Sequence, residues 1–467
     1  MTNKINIKPL KYLLCIVFGI ILLVWIASEM KGLGLPGTIN YIWSYGVGGI
    51  FFIVIATLLP YLLVSIWLIR KYKMSKTTLI VLGLFLFSYV LRVLMAEFIS
   101  GDYYIFLRKW VARYRELSLK ECFVEQVGNY AVTYNCFLIL FSRLPIFDLY
   151  LIKTLSFYFE FGAAIMLVKI IALVRKEEFN PIYLGIALLL IIPILDSSQW
   201  AQCDAIYSFF AVAGIYFAMK KQSIWCFVMM GLGLAFKLQI ILIYPLVLIL
   251  LICKNSQGER YLYWKHIWYT PLSFMLASIL PMMFGGDMFK AVKAYINQVF
   301  VGNLSHALVG NCANIFLQLD WVTRESILYP LLTFVFIGIV AGLLATILIR
   351  TYRAKKNSLE AIDILFLAMY LPLMSVYLMP KMLDRFFYMA DIFLFATMMS
   401  LDGKDRVATR RAYMGLAFGE LTTFAFVLGL SFSEIIYYMA NIHTGAALLI
   451  TTILFIRKFK KEEPLIG

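Results

Sequence analysis

Runs of roughly 20 apolar residues recur along the whole length of this chain, and each is long enough to cross the hydrocarbon core of a bilayer as an α-helix. Backbone inside lipid has to satisfy its own hydrogen bonds, and the runs are too long for barrel strands, so the spans are expected to be helices. With 63% of the 467 residues hydrophobic and only 15% charged, no soluble domain of appreciable size remains. The expected fold is therefore an all-α polytopic membrane protein with about 13–14 transmembrane helices. It is read as one membrane domain over 1–467, with a helix pair in 1–76, a central region in 77–400 and a second helix pair in 401–467.

The net charge of +16 would point to nucleic acid in a soluble protein, but here the lysines and arginines lie mainly in short loops, where they set orientation. No nucleic-acid partner is expected. Placing the basic loops inside (Lys4 to Lys11, Arg70 to Lys76, Arg175–Lys176, Lys220–Lys221, Lys254 to Lys265, Arg350 to Lys356, Lys404 to Arg411, Arg457 to Lys461) gives a consistent path with both termini cytoplasmic. The stretch from about Pro9 to Ala27 reads as an uncleaved first span. Residues 131–147, interrupted by Asn135, Arg143 and Pro145, read as a dipping or interfacial helix, and Lys237 divides a long apolar run as a re-entrant break or a junction of two short helices.

This topology places nearly all polar chemistry on the outer side. Asp102, in Ser100-Gly101-Asp102-Tyr103-Tyr104, precedes an amphipathic stretch (Phe106, Leu107, Trp110, Val111, Tyr114, Leu117) that suits the headgroup plane, as a frame for a lipid-phosphate substrate or as a passive anchor. Asp102 is a candidate catalytic carboxylate, a helix cap, or a partner for Arg92. Ser197 to Asp204 packs amides, a carboxylate and an indole of the kind that hold sugar hydroxyls. Lys237 and Gln239 lie too deep for an unpaired ammonium, for which a lipid phosphate is a natural partner and snorkelling the alternative. The run after residue 284, with Tyr295, Asn297, Gln298, Asn303, His306, Asn311 and Asn314, is rich in hydrogen-bonding groups and poor in charge. Lys381, Asp384 and Arg385 form a tight outer turn in which the guanidinium suits a phosphate or a simple salt bridge to Asp384.

Lys153 and Glu160, seven residues apart on one span, read as an intramembrane pair, with proton coupling in a transporter as an alternative role. Seven scattered cysteines and three distant histidines indicate no zinc, iron-sulfur or haem site. Cys122, Cys203 and Cys312 share the outer side, where small buried apolar residues are favoured over a disulfide.

In order along the chain, Arg92 to Asp102 ending SGDY, Trp110, Asn129-Tyr130, LYLIK ending at Lys153, QWAQCD ending at Asp204, GLAFKLQ ending at Gln239, NCAN ending at Asn314 and PKMLDRFF ending at Phe387 together resemble the membrane-embedded GT-C glycosyltransferases. Within that family they are most similar to the bacterial GPI-mannosyltransferase-like proteins, over about residues 85–400. The resemblance implies a GT-C fold with 77–400 as its catalytic region, a polyprenyl-phosphate-linked sugar donor, and transfer with inversion to a glycan, glycolipid or protein acceptor at the outer face. It also implies Asp102 as the catalytic aspartate and Arg92, Trp110, Tyr130, Gln202, Asp204, Lys237, Gln239, Asn314, Lys381, Asp384 and Arg385 as substrate-binding residues. The late turn of the family commonly reads PKMHER, whereas here Leu383 stands for the histidine and Asp384 for the glutamate. No cofactor is required by this reading; a divalent metal is an option without assignable ligands. A polymerase or ligase using a lipid-diphosphate oligosaccharide, and a lipid or solute transporter, are the alternatives.

Overall fold

The computed structural model describes residues 38–125, 127–128, 130–287, 289–296, 307–427 and 434–460. Among them the secondary structure is helical, relieved only by isolated bridges such as Asn311 to Leu383. Six helices are long and apolar enough to cross a membrane: Phe51–Tyr72, Lys76–Met95, Asp148–Arg175, Leu328–Lys355, Ala361–Leu378 and Ile435–Lys458. A seventh span is possible if Pro181–Ala187 and Ile191–Gln199, bent by 51° at their junction, act as one.

Against the expected 13–14 spans, the other apolar runs among the described residues are divided by polar interruptions into helices shorter than a full crossing. Asp204–Met219, Ser223–Phe236 and Leu238–Ile252 are such pieces. Lys237, with extended backbone at φ −157° and ψ 137°, separates the last two, which selects the two-helix alternative. Val132–Ser142 is an 11-residue helix with Tyr134, Asn135, Leu138 and Phe141 among its buried residues, so it packs into the protein rather than lying on its surface. The first expected span lies outside the described residues.

The basic ends of several helices meet one another. The Tyr72 hydroxyl donates to the Phe179 carbonyl at 3.0 Å, Arg175 pairs with Asp402 at 3.4 Å, Lys254 N–H donates to the Lys356 carbonyl at 2.7 Å, and Lys458 pairs with Asp363 at 3.0 Å. At the opposite end the polar loops converge. There Lys153 donates to the carbonyls of Met95, Ala96 and Phe98 at 2.9, 3.0 and 2.8 Å, which satisfies the open carbonyls where the Lys76–Met95 helix stops and fixes the exit toward Asp102.

Helices Gly403–Val427 and Glu434–Lys458 pack closely through small residues. A Cβ at Gly415 would stand 2.8 Å from the His443 carbonyl oxygen, and one at Gly419 would stand 2.1 Å from the Thr444 hydroxyl and 2.9 Å from the Ala440 oxygen. This is the small-residue spacing, four apart, by which membrane helices bring their backbones together.

Candidate functional site

Four departures from α-helical geometry carry the site. Asp102 opens a π-helical turn over Tyr103–Leu107, and Trp200 and Gln202 follow a second π-helical turn over Ile194–Gln199. Lys237 precedes the 3₁₀ turn Leu238–Ile243, and Asp384 and Arg385 lie in the 3₁₀ turn Asp384–Phe387. Between Trp200 and Gln202, Ala201 takes a left-handed conformation at φ 61°, sparsely populated for a residue with a Cβ, which turns the two side chains toward the same carboxylate. The segment is held by Ser100, whose hydroxyl donates to the Trp200 carbonyl at 2.6 Å, and by Ser156, whose hydroxyl donates to the Gln202 carbonyl at 2.6 Å.

Three donors converge on Asp102 Oδ2: Gln202 Nε2 at 2.6 Å, Arg385 guanidinium at 3.1 Å and Trp200 Nε1 at 3.3 Å. Asp102 makes no side-chain capping bond to its helix and does not meet Arg92, so neither of the ordinary roles considered for it is seen. Its side chain stays 28% exposed, while Arg385 is 12% exposed. Tyr130 donates its hydroxyl to Gln202 Oε1 at 3.0 Å, orienting the amide so that its NH₂ faces Asp102. Behind Tyr130, Trp110 packs edge-on with ring centroids 5.2 Å apart, and a Cβ on Gly128, at φ 77°, would stand 2.4 Å from the indole. Only glycine fits both the backbone and the space there.

Beneath this layer Lys237 Nζ pairs with the fully buried Asp204 Oδ2 at 2.7 Å, and the Tyr130, Tyr207 and Phe386 rings lie 5.7–5.8 Å from the ammonium. That cage supplies the partner a buried lysine requires and removes the snorkelling alternative. Arg385 Nε lies 3.6 Å from the same Asp204 oxygen, an ion-pair distance, and its NH1 lies 3.4 Å from Asp384 Oδ1. Burial opposes the Arg385 charge, yet Asp102 and Asp384 hold its pKa above the ordinary guanidinium value. Burial first, and then Asp102 and Asp204, push the Asp384 carboxyl up to about 6 against the pull of Arg385. One guanidinium thus reaches three carboxylates from separate parts of the chain.

The other expected site residues stand elsewhere. Arg92 is buried, ion-paired with Glu160, bonded to the Tyr61 hydroxyl and Ser198 Oγ at 3.2 Å each and to the Leu188 carbonyl at 3.0 Å; it braces the helix bundle rather than touching Asp102. Lys153 and Glu160 do not pair, because each is occupied by its own partners. Asn314 caps the turn Ile315–Leu319 through Phe316 N–H at 3.0 Å and donates to the Met379 carbonyl at 3.2 Å. Lys381, at φ 62°, places its ammonium 5.0 Å over the Tyr329 ring. Gln239 carries a buried Oε1 with no hydrogen-bond partner among the described residues. Leu383 packs against Gly310, where a Cβ would come within 2.4 Å of it. Cys122, Cys203 and Cys312 are free and buried. Asn129, Asn297, Gln298, Asn303 and His306 lie outside the described residues.

Sequence reasoning missed Asp196, fully buried with both carboxylate oxygens unbonded among the described residues, and Tyr207 and Phe386 of the Lys237 cage. Tyr207 was within reach, since it lies one turn after Asp204 on the same helix face. No group of three or more His, Cys, Asp or Glu side chains placed to hold a metal occurs among the described residues. In comparisons with known proteins the chain matches no family model and no curated sequence.

Proposed function

We propose that the protein is an inverting glycosyltransferase that moves a hexose from a polyprenyl-phosphate-linked donor to an acceptor hydroxyl at the outer membrane face, in glycan or cell-envelope assembly. The observation that carries the reading is a partly exposed carboxylate, Asp102, fixed through one oxygen by Gln202, Trp200 and Arg385, with two cations, Arg385 and Lys237, in and beneath the same layer. The order of motifs from Arg92 to Phe387 supports the donor class.

In this mechanism Asp102 takes the proton of the acceptor hydroxyl, whose oxygen forms a bond to the anomeric carbon. The bond from that carbon to the phosphate oxygen breaks on the opposite face, and polyprenyl phosphate leaves with the electron pair. Fixing Oδ2 by three donors leaves Oδ1 as the oxygen that receives the proton. General-base assistance of this kind is worth roughly 10²- to 10⁴-fold in rate. Arg385 and Lys237 stabilise charge on the departing phosphate, and a well-placed donor contributes about 3 kcal/mol to such a transition state. Both cations already face carboxylates, so the phosphate has to compete with Asp204 and Asp384 for them.

The transport alternative drew on a Lys153–Glu160 pair, and those residues bond to other groups. The test is reconstitution of the full chain with a panel of short-chain polyprenyl-phosphate hexoses and an envelope extract. Release of polyprenyl phosphate that depends on Asp102 is the expected result. Release only from lipid-diphosphate oligosaccharides would replace the reading by a polymerase or ligase, and movement of a lipid without a new glycosidic bond would replace it by transport.

A further inference from the structure

At the basic end of the molecule, far from Asp102 along every helix that joins the two ends, a cavity of about 740 Å³ opens between the helix Tyr244–Ile252, the loop that follows it, and the end of the helix Leu328–Lys355. Four cationic side chains line it, Lys254, Arg260, Arg353 and Lys356, and no carboxylate does. Beside the cations stand Tyr352 and Asn357, and the rest of the wall is apolar, with Leu251 and Ile252 from one helix and Leu348 and Ile349 from the other. Trp264, 53% exposed, stands at its rim, as tryptophan does at the level of lipid headgroups.

The two lining helices differ in a way that says what reaches the cavity. The Leu328–Lys355 helix is the least buried of the six long apolar helices, so its exposed residues, Ile349 among them, face lipid. The cavity is therefore entered from the bilayer side, past an apolar wall, with the cations gathered where that wall ends. An occupant that satisfies both parts needs a hydrocarbon chain and a negative headgroup. A soluble anion would leave the apolar wall uncovered, and a zwitterionic lipid would bring its own cation into a cluster that holds no anion.

We propose that this cavity is a binding seat for an anionic phospholipid, with the headgroup phosphate held by Arg353, Lys356, Lys254 and Arg260 and one acyl chain lying along Leu348 and Ile349. The seat is separate from the Asp102 site and does not depend on what that site does. Basic pockets between membrane helices are suited to such lipids by the same electrostatics that draw polybasic segments to anionic leaflets.

The test is native mass spectrometry of the full chain in detergent, titrated with phosphatidylglycerol and with phosphatidylcholine of matched acyl chains. The wild-type chain is expected to hold phosphatidylglycerol preferentially. The double variant Arg353→Gln/Lys356→Gln is expected to weaken that binding by roughly thirtyfold, from the attraction typical of two cations near an anionic lipid. The control Lys404→Gln/Arg410→Gln removes the same charge from exposed positions at the same end and is expected to leave binding unchanged. Equal affinity for the two lipids, equal losses in the two double variants, or full displacement of the lipid by inorganic phosphate would overturn the proposal. Folding of each variant is checked by its thermal unfolding midpoint, which these exposed substitutions are expected to leave in place.

Discussion

Arg385 is the residue on which the site's charge balance turns, because a single side chain answers Asp102, Asp204 and Asp384. If Asp102 is the base, Asp102→Asn lowers transfer by roughly 10²- to 10⁴-fold while the protein still inserts and unfolds at its normal temperature, since the amide is isosteric with the carboxylate and the position is partly open. An Asp102→Asn enzyme with normal turnover would remove Asp102 from the chemistry. Asp384 gives a second, pH-resolved expectation. With its carboxyl pushed up to about 6, it is ionised at neutral pH and becomes neutral as pH falls through that value, freeing Arg385 from one competitor for a phosphate. Apparent donor affinity is thus expected to improve as pH falls from 7 toward 5.5, and Asp384→Asn to flatten that dependence; a steep profile retained in the variant would assign it to another group. Asp102, Gln202, Asp204, Lys237 and Arg385 were legible as chemistry because each is a polar residue that an apolar run does not explain. Arg92 and Lys153 satisfied the same rule for a different reason: both hold backbone or acidic groups inside the bundle. Isolated polarity identifies residues with partners without saying whether those partners are substrate or protein.

At the scale of elements, the four site-bearing segments are all places where the α-helix changes pitch or stops, and π-type irregularities recur at functional positions in other proteins. Hydrophobic periodicity recovered the amphipathic stretch after Asp102, but it could not register the π turn. The buried residues are Tyr103, Leu107, Val111 and Tyr114, while Phe106 of the same apolar stretch is 47% exposed. A π turn adds one residue without breaking the apolar pattern, so no period in the sequence marks it. The Gly403–Val427 and Glu434–Lys458 pair depends on close approach at Gly419, where any side chain meets Thr444 and the Ala440 carbonyl. Gly419→Leu is expected to destabilise the protein by about 1–3 kcal/mol through overpacking, read as a lower thermal midpoint in detergent. Gly83→Leu serves as the contrast, because a Cβ there has nothing within 4 Å. Equal behaviour of the two variants would mean that the helix pair tolerates separation.

Over the whole molecule, the separation of a basic end from a polar, carboxylate-bearing end was readable from loop composition alone, and the ties among Arg175, Asp402, Lys254, Lys356, Asp363 and Lys458 follow it. The break at Lys237 was readable, but whether the short apolar pieces on either side of such a break cross the bilayer was not, because composition does not fix helix length. If the basic end faces the cytoplasm, then in a cysteine-free background Ser256→Cys is protected from a membrane-impermeant maleimide added to intact cells and Gly101→Cys is labelled. The reverse pattern would invert the topology. The bridge from Arg385 to Asp102 also has a consequence in time. A chain made at 5–20 residues per second needs roughly 15–60 s to pass from residue 102 to residue 385. Throughout that interval the growing protein contains Asp102, joined by Asp204 about a third of the way through, and lacks the guanidinium that bridges them. The site is thus completed late in synthesis, and a ribosome halted before Pro380 leaves a membrane-inserted fragment carrying acidic groups whose shared counter-charge has not been made.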